Sequence, residues 1–179
     1  MGAPTNEREN THSTPSRLPL VGRERELSEL RNGLADTTSG RLGGVFLISG
    51  EPGIGKTRLA DEIAGDAASR GMRVVWGRCW EDAGAPAYLP WVDVLRSLIL
   101  DQRRDREWHS ALAPEIAQLI PELSPETVPP RAPSDPMQTR FRLFDAVATL
   151  LKQLARSVPL LIILDDLHEA DHGSLELLK

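Results

Sequence analysis

Eight consecutive residues constrain this chain more than any other feature: Gly50-Glu51-Pro52-Gly53-Ile54-Gly55-Lys56-Thr57. They spell G-x-x-x-x-G-K-[ST]. The apolar run Val45-Phe46-Leu47-Ile48-Ser49 before them reads as a buried strand. The stretch after them reads as a helix to about Arg70, with Leu59, Ala60, Ile63, Ala64 and Ala67 on one face and Gly71 as its stop. A strand, a glycine-rich turn and a helix in that order gather backbone amides around one point in space, which suits a polyphosphate. A chance glycine-rich turn also yields such an octet, but rarely between a β-run and an amphipathic helix.

A triphosphate needs many donors at close range. Gly50, Gly53 and Gly55 let the backbone approach it, and Glu51, Pro52 and Ile54 complete the loop. A helix starting near Lys56 adds the positive end of its dipole, worth roughly half a unit charge. Lys56 is expected to bridge the β- and γ-phosphates, and the Thr57 hydroxyl to ligate Mg²⁺. Arg58 faces either the nucleotide or solvent; the sequence does not choose. The ligands read from this loop are therefore ATP, or another nucleoside triphosphate, and Mg²⁺.

A second constellation lies more than a hundred positions away. Leu160-Leu161-Ile162-Ile163-Leu164 reads as a strand apolar on both faces, suited to the centre of a parallel sheet, and it ends in Asp165-Asp166. In parallel α/β sheets ligands gather beyond the carboxyl ends of the strands. Asp165 is expected to hold Mg²⁺, largely through water, and Asp166 to orient or deprotonate an attacking water. Taken alone, the pair is as readily a solvated turn; beside a phosphate loop the functional reading prevails. Glu169 and Asp171 are lower-ranked acids. His168 and His172 stand at i, i+4, the spacing of a metal site, although two surface histidines fit their loop-like setting better.

The remaining chain supplies the scaffold. A helix with Leu27, Leu30 and Leu34 at helical spacing precedes the first strand, and a second strand is expected at Met72–Trp76. Trp91, Val92, Val94, Leu95, Leu98 and Ile99 form a short amphipathic helix, and another is expected over 107–120. Six prolines make 121–136 a loop. Asp135-Pro136, with Gln138 at the capping-box position, opens a long helix whose buried stripe is expected to be Phe141, Phe144, Ala148, Leu151 and Ala155. Alternating strands and helices give an α/β sandwich around a parallel sheet. The domain reading is a disordered polar tail over 1–18 and a P-loop domain over 19–179, with 77–136 a helical, Pro-rich insertion.

Bulk properties exclude several alternatives. The net charge of -5 gives no reason to expect nucleic-acid binding by this segment. The first 19 residues lack the apolar core of a signal peptide, and no apolar run is long enough to span a bilayer. Cys79 is the single cysteine, so no internal disulfide forms, and it reads as a packed thiol. These features point to a cytoplasmic protein.

Four segments occur together in order: Val21-Gly22-Arg23-Glu24; the phosphate loop; Gly77-Arg78-Cys79 through Pro86-Ala87-Tyr88-Leu89-Pro90-Trp91; and Leu164-Asp165-Asp166-Leu167-His168-Glu169-Ala170-Asp171. In this they resemble the AAA-type ATPase module of STAND signal-transduction ATPases, whose relatives include large LuxR-type transcriptional regulators and modules attached to nucleotide cyclases. The resemblance implies a P-loop NTPase fold, a three-layer α/β/α sandwich, with Val21, Gly22 and Arg23 against the adenine. It implies the sheet order 5-1-4-3-2, in which 45–49 is strand 1, the 72–76 strand is strand 2 and 160–164 is strand 3. Strands 4 and 5, with any lid and output domains, are then expected to be missing, opening the sheet between strands 1 and 3 unless those two close together. The functional expectation is an ATP-dependent regulatory switch with slow hydrolysis. The alternatives are a nucleotide-binding fragment without turnover and a P-loop small-molecule kinase, with homo-oligomers or missing output domains as partners.

Overall fold

The computed structural model describes residues 21–40, 43–80, 86–100, 114–120, 122 and 135–179. The expected tail at 1–18, the first part of the helix expected at 107–120 and much of the 77–136 insertion lie outside the described residues. Helix α1 spans Glu24–Thr38 and α2 spans Lys56–Ser69. Strand β1 covers Arg73–Arg78, followed by α3 at Leu89–Leu100 and the short α4 at Pro114–Leu119. Helix α5 runs over Pro136–Ser157 and β2 over Leu160–Asp165. A single 3₁₀ turn at Leu167–Glu169 leads into α6 at His172–Leu177.

β1 and β2 pair in parallel, with Arg73 opposite Leu160 and Arg78 opposite Asp165. In the expected order they are strands 2 and 3, which are neighbours. Because side chains alternate across a strand, the pairing sends Val75, Leu160, Ile162 and Leu164 to one face and Val74 and Leu161 to the other. The first face carries the larger core, where Leu95, Leu98, Ile116 and Val147 from α3, α4 and α5 are almost wholly buried. Each such side chain stabilises the fold by roughly 1.5–3 kcal/mol. The second face packs on Leu27 and Leu34 of α1, Leu59, Ile63 and Ala67 of α2, and Met72. Helices therefore cover both faces of the sheet, and the three-layer α/β expectation holds.

Three local expectations need correction. Residues 45–49 form no strand: among the described residues no ladder pairs them, and Val45 and Leu47 are 80% and 77% exposed. Strand geometry is sustained by a hydrogen-bonded neighbour, and apolar β-formers alone do not create one. Nor does this segment close onto β2. Strand β2, expected to be buried centrally, is only half-buried, since β1 is its one ladder partner among the described residues. Finally, α5 buries Leu143, Val147, Leu150 and Leu154, while Phe141 is 72% exposed. The expected stripe followed the aromatic residues and was rotated away from the true one; only Phe144 and Leu151 of that set reach the core edge.

Candidate functional site

The phosphate loop closes by a turn in which Ile54 N donates to Glu51 O at 3.3 Å. Gly53 and Gly55 have φ of +77° and +97°, and nothing lies within 4 Å of where a Cβ would stand on either. These glycines are therefore required by backbone conformation and not by space. Gly55 is the N-cap of α2, and its carbonyl accepts from Leu59 N at 3.0 Å. Lys56 Nζ donates to the carbonyls of Gly50 and Glu51 at 3.0 and 3.1 Å, so the ammonium lies over the loop. Arg58 sits half-buried in the same turn of helix.

Thr57 and Asp165, 108 positions apart, meet here. The Thr57 hydroxyl donates to Asp165 Oδ2 at 3.1 Å, with Oδ1 at 3.4 Å. Asp165 ends β2, and its Oδ1 also accepts from Asp166 N at 3.0 Å. Two hard oxygen donors side by side at the mouth of a phosphate loop fit Mg²⁺, which favours a carboxylate and a hydroxyl with its remaining positions left to water and phosphate. Asp166 follows with φ of +56°, unusual for a residue bearing a Cβ. Its carboxylate is exposed and takes no hydrogen bond from a described residue.

Beside the loop lies a cleft of about 220 Å³, lined in part by Arg23, Glu26, Phe46, Ile54 and Lys56. Arg23 bonds Glu26 at 2.6 Å and donates to Ile54 O at 3.4 Å, tying the start of α1 to the phosphate loop. The Arg23 hydrogen bond holds the Glu26 carboxyl below its ordinary range. Gly22 N donates to Glu24 Oε1, and Val21 is 81% exposed. Of the three residues expected near the base, Arg23 lines the cleft and the other two stand outside its lining.

The lower-ranked acids and the histidines have other employment. Asp171 caps α6: it accepts from Ser174 N at 3.0 Å and from the Ser174 hydroxyl, and also from Tyr88 N at 3.1 Å. Trp91 Nε1 donates to Ser174 O at 3.0 Å, completing a clasp between the start of α3 and the chain beyond the acidic pair. His168 pairs with Glu169 and His172 with Glu176, so the two rings serve different partners. Among the described residues no cluster of three or more His, Cys, Asp or Glu has metal-binding geometry. Cys79 is buried, and its thiol is pushed up to about 11, first by burial and then by nearby Asp166, Asp171, Asp165 and Glu169.

Sequence reasoning missed the Asp171 clasp. The spacing Asp171-x-x-Ser174 was a usable capping signal, but its partner Tyr88 lies 83 positions away. No described helix is long and apolar enough to cross a membrane. A family model described as AAA ATPase domain matches residues 19–179. No curated protein and no solved structure matches the chain.

Proposed function

The chain belongs to the AAA ATPase domain family over residues 19–179, and from that premise we propose that it is a cytoplasmic, Mg²⁺-dependent ATP-binding regulatory module of the STAND type, related to the ATPase part of LuxR-type regulators. The observation that carries this reading is the 3.1 Å approach of Thr57 to Asp165 beside a complete phosphate loop. Residues 50–58 surround the phosphates. The Lys56 ammonium leaves the Gly50 and Glu51 carbonyls for the β- and γ-phosphates when nucleotide enters. Thr57 and Asp165 would hold Mg²⁺, which when bound neutralises charge on the phosphates. Asp166, exposed and without a described partner, holds a water for slow hydrolysis. Arg23 presents one wall of the cleft to the base, and Val21 and Gly22, immediately before it in the chain, are assigned to base binding by the family resemblance alone. Regulation then requires that ATP and ADP bind two conformations with different affinity.

Equilibrium binding of ATP, with and without Mg²⁺, tests the assignment in wild type and Lys56→Ala. Removing the ammonium is expected to weaken ATP binding at least about ten-fold, the scale of one charge-assisted hydrogen bond. Equal affinity in the two proteins defeats the site. Release of labelled phosphate to water, rather than to an acceptor molecule, separates the ATPase reading from a kinase.

A further inference from the structure

The cation site has a second neighbour with no role so far. Arg78 ends β1 directly opposite Asp165 in the parallel register. Its direction follows from its neighbours. A Cβ on Gly77 would lie 2.3 Å from Pro90 O and 2.9 Å from Leu164 Cδ2, so position 77 faces the α3 side of the sheet. Arg78 therefore projects to the other side, the α2 side. Asp165 projects there too, and meets Thr57 from the first turn of α2. Arg78 is exposed, and no described carboxylate pairs with it. Its guanidinium instead lies over the Trp80 ring, 5.7 Å from the ring centroid. Trp80 is itself 56% exposed, a large apolar surface left facing solvent where the Arg can rest on it.

From this geometry we infer that Arg78, held on the Trp80 ring, is a contact for the terminal phosphoryl group of a bound nucleoside triphosphate. Thr57, in the first turn of α2, meets Asp165 from the α2 side, and Arg78 stands beside Asp165 on the neighbouring strand β1. A phosphate chain that leaves the loop past the Thr57–Asp165 pair brings its outermost group toward the guanidinium. A planar fork with several donors suits a phosphoryl group carrying free oxygens. A diphosphate ends before that point, so the contact distinguishes ATP from ADP, which a regulatory switch requires.

The inference rests on the nucleotide reading above, and the two fail separately. Dissociation constants for ATP and ADP in Mg²⁺ are measured for wild type, Arg78→Gln and Trp80→Leu. Arg78→Gln is expected to weaken ATP by about ten-fold or more, one lost charge-assisted contact, while ADP affinity stays within about two-fold. Trp80→Leu, which keeps the charge but removes its platform, is expected to lose part of the same discrimination. Loss of ATP and ADP affinity in equal measure, or of neither, overturns the assignment while leaving the phosphate loop intact. Failure of the wild type to bind either nucleotide overturns the nucleotide reading and this contact with it.

Discussion

Replacing Asp171 tests whether the clasp beyond the acidic pair is a structural support. The carboxylate accepts from Ser174 N, the Ser174 hydroxyl and Tyr88 N. Asp171→Ala removes an N-cap, costing about 1 kcal/mol. It also orphans the part-buried Tyr88 amide, which costs a further ~1–3 kcal/mol. Tyr88 is held at φ +66° with its ring edge-on to Phe144 and against Gly173, so its backbone has little freedom to turn the amide toward water. Together the loss is about 2–4 kcal/mol if the two contributions add. Asp171→Asn keeps a capping oxygen but offers an NH₂ in place of the second acceptor, for about 1–2 kcal/mol. Urea unfolding followed by far-UV circular dichroism reads both values, with exposed Asp145→Ala as a control expected within about 0.5 kcal/mol of wild type. Burial pushes the Asp171 carboxyl up, but hydrogen bonds from Ser174, Tyr88 and Gly173 outweigh it and hold the group below its ordinary value. A carboxyl depressed in the folded state stabilises above its unfolded pKa, about 3.9, and that stability is lost as pH falls through the folded value. The wild type should therefore show an acid-side decline below about pH 4 that Asp171→Asn lacks in part. A stability for Asp171→Ala within about 0.5 kcal/mol of wild type would refute the reasoning.

Two further outcomes follow from local geometry. Cys79, with its thiol raised to about 11, should resist alkylation by iodoacetamide at pH 7.5 in the folded protein and react readily in denaturant, as mass spectrometry of the two samples will show. Two glycines should answer alanine in opposite ways in thermal melts. Gly77→Ala places a Cβ 2.3 Å from the Pro90 carbonyl, a backbone atom that cannot step aside, and is expected to cost about 1–3 kcal/mol. Gly33→Ala meets only the ring edge of half-exposed Phe46, which can swing out, and should be neutral or stabilising by up to about 1 kcal/mol through helix propensity.

Features written in a short window were legible in the sequence. The phosphate loop, the stop of α2 at Gly71, the Asp135 cap of α5 and the terminal carboxylate of β2 each depend on a few adjacent residues, and each lies where expected. The missed features depend on distant partners. Asp171 reads as an acid near an acid pair until Tyr88 is folded against it, and Arg78, beyond the strand expected at 72–76, stands beside Asp165 only once the observed register is known. The buried stripe of α5 departs from the expected one for a related reason. Phe141 carries more apolar surface than Leu143, but a helix turns the positions that fit the opposing wall inward, not the largest ones.

The segment 45–49 shows how the site tolerates a local expectation that failed. Had it been a strand, the sheet would have fixed the phosphate loop in place. Other contacts hold the loop instead. Leu59, Ile63 and Ala67 seat α2 on the face of the sheet that carries Val74 and Leu161. Arg23 fastens Ile54 from one side and Thr57 reaches Asp165 from the other. Helix α2 therefore links the glycine-rich turn to the acidic strand end. Its buried leucine, isoleucine and alanine set the separation of Thr57 from Asp165, because sliding α2 by one turn along the sheet would move Thr57 by about 5.4 Å, well beyond a hydrogen bond. The convergence of the two stretches is thus a property of helix-on-sheet packing, and it does not require the strand ladder that the apolar run suggested.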